Sequence, residues 1–105
     1  MSAVFDPDRP DLTLGIVGCG TMGRGIAQVA AEAGCRVILY DLRPEAADQT
    51  LAALKDLWHR LCGKGKMDPA AAHAALSRLV VATDLKGLVD CDLVVEAIVE
   101  DLAAK

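Results

Sequence analysis

The stretch that decides the fold is LGIVGCGTMGRGIAQ, from Leu14 to Gln28. Its apolar beginning predicts a buried strand over Leu12 to Gly18, and the residues after the turn repeat with the period of a helix. Gly20 and Gly23 complete a G-x-G-x-x-G spacing between the two elements. In such a strand-to-helix turn, the glycines permit a tight bend, a close approach to the backbone and close packing of helix on strand.

This turn predicts an anion-binding site. The first backbone N–H groups of a helix lack partners within the helix, and together with the helix dipole they can bind a pyrophosphate without a cationic side chain. A glycine-rich turn that binds no ligand is the alternative. The predicted pyrophosphate-binding residues are Gly18, Cys19, Gly20, Thr21, Met22 and Gly23.

A carboxylate follows the second predicted strand. Asp41 closes the segment RVILYD, and a carboxylate at this position accepts hydrogen bonds from the adenosine ribose hydroxyls and repels a 2′-phosphate. The residues therefore favour NAD over NADP. Arg43 leaves NADP open as an alternative, because an arginine nearby can bind the 2′-phosphate.

The rest of the chain predicts an α/β domain in the order β-α-β-α-α-β-β. The apolar stripe expected on the first helix comprises Met22, Ile26, Val29, Ala30 and Ala33. The later expected elements are strands over Arg36–Asp41, Leu79–Thr83 and Asp92–Ile98, helices over Pro44–Cys62 and Pro69–Ser77, and one helical turn over Asp84–Val89. Nearly continuous apolar strands are typical of a parallel sheet covered by helices on both faces. We predict a Rossmann-type doubly wound parallel sheet, incomplete, with about four strands present.

Composition excludes several classes of protein. The chain has 105 residues, 53% of them hydrophobic, and a net charge of −4, which fits one ordered domain and leaves no basic field for nucleic acid. No apolar run approaches the roughly 18 residues of a membrane span, and the acidic, proline-containing start does not resemble a signal peptide. We expect neither nucleic acid nor a membrane as a partner.

The four cysteines are widely spaced and form no C-x-x-C pair, so we predict no metal site and no disulfide framework. Reduced thiols predict a cytoplasmic protein. Cys19 has no visible base partner, so we expect no redox role for it.

The segment CDLVVEAIVEDLAAK, together with GIVGCGTMGRGIAQVAAEAG, is similar to the NAD-binding domain of the L-3-hydroxyacyl-CoA dehydrogenases. The resemblance covers residues 12 to 105. It implies oxidation of an L-3-hydroxyacyl-CoA to the 3-oxoacyl-CoA with NAD, in the degradation of fatty acids or related acyl-CoA compounds, by an enzyme that is a homodimer when full length.

The resemblance also implies roles for single residues. Glu100 and Lys105 match the acid and the lysine that contact the cofactor nearer its nicotinamide end, and Lys64 is the nearest match to a lysine that holds the coenzyme A part of the substrate. A solvated helix end is the alternative for Lys64. Glu96 lies within the apolar DLVVEAI run, where it would either shape the crevice or serve as a buried structural carboxylate.

No residue is assigned to catalysis. The His–Glu pair of the family follows later strands that we expect this chain to lack, so His59 and His73 are predicted to lie at the surface and Trp58 to pack in the core.

We therefore expect a polar lead-in over residues 1–11 and a truncated NAD-binding domain over 12–105, without the catalytic second half or the C-terminal helical domain. Such a chain is expected to be inactive alone, and its exposed apolar edges would favour self-association. A related NAD(P)-dependent hydroxy acid dehydrogenase and a non-catalytic nucleotide-binding module are the alternative functions.

Overall fold

A four-stranded parallel sheet lies at the centre of the computed structural model, which describes residues 12–97. The expected lead-in over residues 1–11 lies outside this range. The elements are β1 (Thr13–Val17), α1 (Thr21–Glu32), β2 (Arg36–Tyr40), α2 (Pro44–Gly63), α3 (Pro69–Ser77), β3 (Leu79–Val81), a 3-10 helix (Leu85–Leu88) and β4 (Leu93–Glu96). The predicted order of strands and helices is confirmed, with each strand somewhat shorter than expected.

The strand order is β3-β2-β1-β4, and all neighbours are parallel. The chain therefore crosses from one edge of the sheet to the other between β3 and β4. Val17 pairs with Tyr40 of β2 and with Glu96 of β4, so the carboxyl ends of these three strands meet. In open α/β sheets this reversal of strand order is where ligands bind.

The hydrophobic core lies on one face of the sheet. Ile16 and Leu39 are fully buried there against α1, α2 and α3, and Trp58 of α2 is 1% exposed. Burying large apolar side chains of this kind contributes roughly 1.5–3 kcal/mol each. The predicted core position of Trp58 is confirmed.

The opposite face is covered mainly by the 3-10 helix and the turn that follows it. A Cβ at Gly15 would lie 2.8 Å from Sγ of Cys91 and 2.9 Å from Cδ2 of Leu88, so this glycine lets the segment pack closely on β1. The Rossmann-type class is confirmed, but within residues 12–97 the three α-helices pack on one face only. Val80 and Val94, on the two edge strands, are 46% and 44% exposed.

The apolar stripe expected on α1 is wrong at Met22 and Val29, whereas Ile26 and Ala30 pack against the core as predicted. Met22 is 55% and Val29 69% exposed, whereas the buried residues of the helix are Gly23, Ala27 and Ala31. The reason is steric, because only small side chains allow α1 to lie close against β1. Within the described residues, no helix has the length and apolarity needed to cross a membrane.

Candidate functional site

A crevice of about 480 Å³ opens where β1 and β2 end. Its walls combine the glycine turn, the end of β2 and the end of β4. The lining residues are Val17, Gly18, Gly20, Thr21, Met22, Asp41, Leu42, Arg43 and Ala97. The structure thus brings most of the predicted pyrophosphate segment and the predicted ribose acceptor to one cavity.

The backbone amides of the turn divide into two groups. Those of Gly18 and Cys19 are bound within the protein, to the Tyr40 carbonyl oxygen at 2.9 Å and to Oδ2 of Asp41 at 2.7 Å. Gly20 caps α1 and Thr21 and Met22 begin it, and within residues 12–97 the amides of these three residues have no acceptor. Gly20, Thr21 and Met22 therefore present the free N–H groups that an anion at a helix start needs.

Asp41 is held by the backbone on both sides. Oδ2 accepts the Cys19 N–H, and Oδ1 accepts the Arg43 N–H at 2.8 Å, with the Arg43 Nε at 3.7 Å. Burial alone would raise the pKa of Asp41, but the two N–H groups and the guanidinium together lower it below its ordinary value. The carboxylate is ionised at neutral pH and keeps lone pairs for ribose hydroxyls.

Cys19 is buried within the turn. Its Sγ lies 3.6 Å from the Tyr40 carbonyl oxygen, and burial, with the nearby Asp41 carboxylate, raises the pKa of its thiol to about 11. A thiol that stays protonated at neutral pH is a poor nucleophile. Cys19 contributes to the site through its backbone amide, which donates to Asp41.

Two of the predicted cofactor contacts, Glu100 and Lys105, lie outside the described residues. The strand that leads towards them is in place, because the Ala97 N–H donates to the Val17 carbonyl oxygen at 2.8 Å and Ala97 lines the crevice.

Lys64 is not part of the crevice. It is an exposed residue at the far end of α2, whose 20 residues extend about 30 Å from the end of β2.

The premise that Glu96 is buried is wrong, so it is not a buried structural carboxylate, and it is not among the residues that line the crevice. Glu96 is exposed because β4 is an edge strand in the described sheet. It shares a sheet face with Val17 and Tyr40, its partners in register across the sheet. Its charge is solvated, so no buried partner is required.

The two histidines are exposed, as predicted. They line a groove of about 610 Å³ between α2 and α3, which is larger than the crevice but lies away from the glycine turn. In the described part of the chain no three metal-ligating side chains converge.

Among the residues that the sequence interpretation missed is Thr50, which contacts the glycine turn from α2 without lining the crevice. It is 4% exposed, and its hydroxyl donates to the Cys19 carbonyl oxygen at 2.9 Å. A signal was available, because Thr50 falls between Ala47 and Leu54 on the apolar stripe of α2. A polar residue there needs a buried partner.

A parallel sheet with the 3-2-1-4 order, a glycine turn and an acid after the second strand define a Rossmann-type dinucleotide-binding domain. The family profile described as "3-hydroxyacyl-CoA dehydrogenase, NAD binding domain" matches residues 13–105. The chain belongs to this family, and its cofactor is NAD.

Individual relatives agree with this assignment. The chain is 42% identical over 94 residues to a probable 3-hydroxybutyryl-CoA dehydrogenase of Deinococcus radiodurans, covering 90% of this chain and 34% of that protein. It is 38% identical over 93 residues to the 3-hydroxyadipyl-CoA dehydrogenase of Escherichia coli K12, covering 89% and 20% respectively. The chain thus spans about a third or less of the length of these relatives.

A solved structure shows the same fold. The 3-hydroxybutyryl-CoA dehydrogenase of Escherichia coli K12 superimposes with a TM-score of 0.81 at 36% identity, over 90% of this chain and 20% of that one. The (S)-3-hydroxybutyryl-CoA dehydrogenase of Ralstonia eutropha superimposes with a TM-score of 0.79 at 37% identity, over 88% of this chain and 32% of that one.

Proposed function

We propose that this chain supplies the NAD-binding portion of an L-3-hydroxyacyl-CoA dehydrogenase, in the degradation of fatty acids or related acyl-CoA compounds. The observation that supports this most directly is the placement of an ionised Asp41 and three free helix-start amides on one crevice. In Rossmann-type domains, groups of these two kinds bind the adenosine ribose and the pyrophosphate of one dinucleotide.

The reaction proposed for the whole protein removes a hydride from C3 of the substrate and a proton from its hydroxyl group, leaving a 3-oxo thioester. NAD, when bound, accepts the hydride. The part of this chain that forms the crevice binds and orients the cofactor. Holding the pyrophosphate at α1 and the ribose at Asp41 fixes the direction in which the nicotinamide extends. Glu100 and Lys105 are proposed to contact the cofactor nearer that end.

The choice of NAD can be tested by titrating the chain with NAD, NADP and ADP-ribose in a calorimeter. We expect NAD to bind at least about tenfold more tightly than NADP, because the ionised Asp41 repels a 2′-phosphate. ADP-ribose should bind about as well as NAD, since it carries the groups that the crevice would hold. Equal or tighter binding of NADP would contradict the proposal and would favour Arg43 as a 2′-phosphate ligand.

The substrate is proposed to be an acyl-CoA, with Lys64 holding a phosphate of its coenzyme A part. An exposed lysine can act as a point charge for phosphate. Replacing Lys64 with alanine should raise the Kd for free coenzyme A about three- to fivefold, the range of one exposed charge pair. Lys66→Ala removes a charge from the same loop and is the matched control. The same effect in both variants would mean that coenzyme A senses only the net charge of the loop.

The proposed location of the protein and the proposed absence of a nucleic-acid partner follow from its cysteines and from its net charge. The four cysteines are free, which supports a reducing, cytoplasmic location. The net charge of −4 supports the absence of a nucleic-acid partner. A homodimer is proposed for the full-length enzyme.

A further inference from the structure

Thr50 makes an unusual contact for a helical threonine. It is the buried polar residue of the described range, and burying a hydroxyl is costly unless it is hydrogen-bonded. Threonines within helices commonly donate to a carbonyl oxygen one turn earlier in their own helix. Thr50 instead donates from α2 to the Cys19 carbonyl oxygen, across 31 positions of sequence. The contact therefore ties α2 directly to the glycine turn.

This contact determines the direction of a free amide. The Cys19–Gly20 peptide is trans and planar, so its C=O and N–H point in opposite directions. Thr50 holds the carbonyl towards α2, and the Gly20 N–H consequently points away from α2, on the side where Gly20 lines the crevice. The preceding peptide is fixed as well, because the Cys19 N–H donates to Asp41.

Packing does not fix this peptide from the Gly20 side. Apart from its two chain neighbours, no residue within 12–97 has an atom within 4 Å of the position that a Gly20 Cβ would occupy. Gly20 is held at its own carbonyl oxygen, which accepts the Arg24 N–H at 2.9 Å, but a glycine tolerates a wide range of φ and so leaves the Cys19–Gly20 peptide on its other side unrestrained. The hydrogen bond from Thr50 is thus the restraint on the carbonyl of this peptide.

We propose that Thr50 is a positioning residue for the cofactor: its hydroxyl holds the Cys19–Gly20 peptide so that the Gly20 N–H is already directed at the pyrophosphate. This inference rests on the proposed function of the crevice. A donor oriented before binding avoids the entropic cost of ordering it during binding, which raises affinity. The effect should be confined to ligands that carry the pyrophosphate.

The test compares Thr50→Val, which keeps the side-chain shape without the hydroxyl, with Thr50→Ser, which keeps the hydroxyl. We expect Thr50→Val to raise the Kd for NAD and for ADP-ribose about tenfold, with Thr50→Ser close to the wild type. Binding of adenosine, followed by NMR, should change less than twofold in both. Ser77→Ala removes another hydroxyl-to-carbonyl bond, to Ala74 at 2.7 Å on α3, and is the matched control.

Unchanged NAD affinity in a folded Thr50→Val chain, or an equal loss for adenosine, would overturn the inference. Thr50→Ala serves as the second variant should the valine chain fail to fold. The ligand-free chain gives an independent readout. The Gly20 amide resonance should be sharp in the wild type and broadened by exchange in Thr50→Val. Were the wild type to bind no NAD, the proposed function would fail, while this comparison would still decide whether Thr50 orders the peptide.

Discussion

Replacing Gly23 with alanine is expected to abolish detectable NAD binding and to destabilise the chain by about 3 kcal/mol, the upper range for overpacking. A Cβ at this position would overlap the carbonyl oxygen of Gly18 and would lie 3.3 Å from Cγ2 of Ile16. The overlapping oxygen belongs to the backbone of the turn, so no side chain can rotate away. α1 must move off β1, and its free amides move with it. Thermal unfolding and calorimetry with NAD measure the two effects.

Gly25→Ala is the matched control, because Gly25 lies on the same helix and, among the described residues outside its own turn of helix, none has an atom within 4 Å of its Cβ position. Alanine in an exposed helix interior should stabilise the chain by roughly 0.5–1 kcal/mol and leave NAD affinity unchanged. Wild-type affinity in Gly23→Ala would contradict the assignment of the turn. An equal loss of affinity in Gly25→Ala would mean that α1 is sensitive to any added methyl group.

The features that were predictable from the sequence are those that depend on local chemistry. A G-x-G-x-x-G turn needs a strand before it and a helix after it, and Asp41 closes the next apolar segment, so turn, helix and acid could be placed without knowledge of the sheet. The predicted order of elements is correct for the same reason. Glycines and prolines separate segments whose apolar residues repeat with the period of a strand or of a helix.

The predictions that were wrong concern tertiary packing, because they depend on which faces of the helices and strands pack together. Met22 and Val29 are apolar and correctly spaced for a core stripe, but α1 turns its small residues towards the sheet because Gly23 must lie against Gly18. Glu96 was expected to be buried because its strand is apolar, yet burial depends on neighbours, and β4 lies at an edge of the described sheet. Hydrophobic period alone does not distinguish a central strand from an edge strand.

The contact of Thr50 with the glycine turn was not predicted, for a different reason. Its contact with Cys19 joins two elements that are distant in sequence, and no spacing rule links them. What the structure adds is that the turn is restrained from two directions, by Thr50 on a carbonyl and by Asp41 on an amide. Asp41 is therefore both part of the turn's framework and a candidate ligand for the ribose.

This double role makes Asp41→Asn the second substitution with a large expected effect. The asparagine side chain has one acceptor oxygen, so its NH₂ group must face one of the two N–H donors, from Cys19 or Arg43. We expect a 10- to 100-fold loss of NAD affinity, as for a hydrogen bond to a charged group worth about 1.5–3 kcal/mol. Discrimination against NADP should shrink as well, because the repelling charge is gone. Calorimetry with both cofactors measures this.

The same substitution should change how stability depends on pH. Because the folded chain lowers the pKa of Asp41, the ionised carboxylate stabilises the fold at any pH above its unfolded value, near 3.9 for aspartate. That contribution is lost as the pH falls through the folded pKa. The difference in the free energy of unfolding between wild type and Asp41→Asn should therefore shrink on acidification from pH 7 to pH 3. Asp48→Asn, which removes an exposed charge from α2, is the control for a change in net charge alone. A difference that stays constant with pH would mean that Asp41 acts through its shape, and its assignment as a charged ribose acceptor would lose its physical basis.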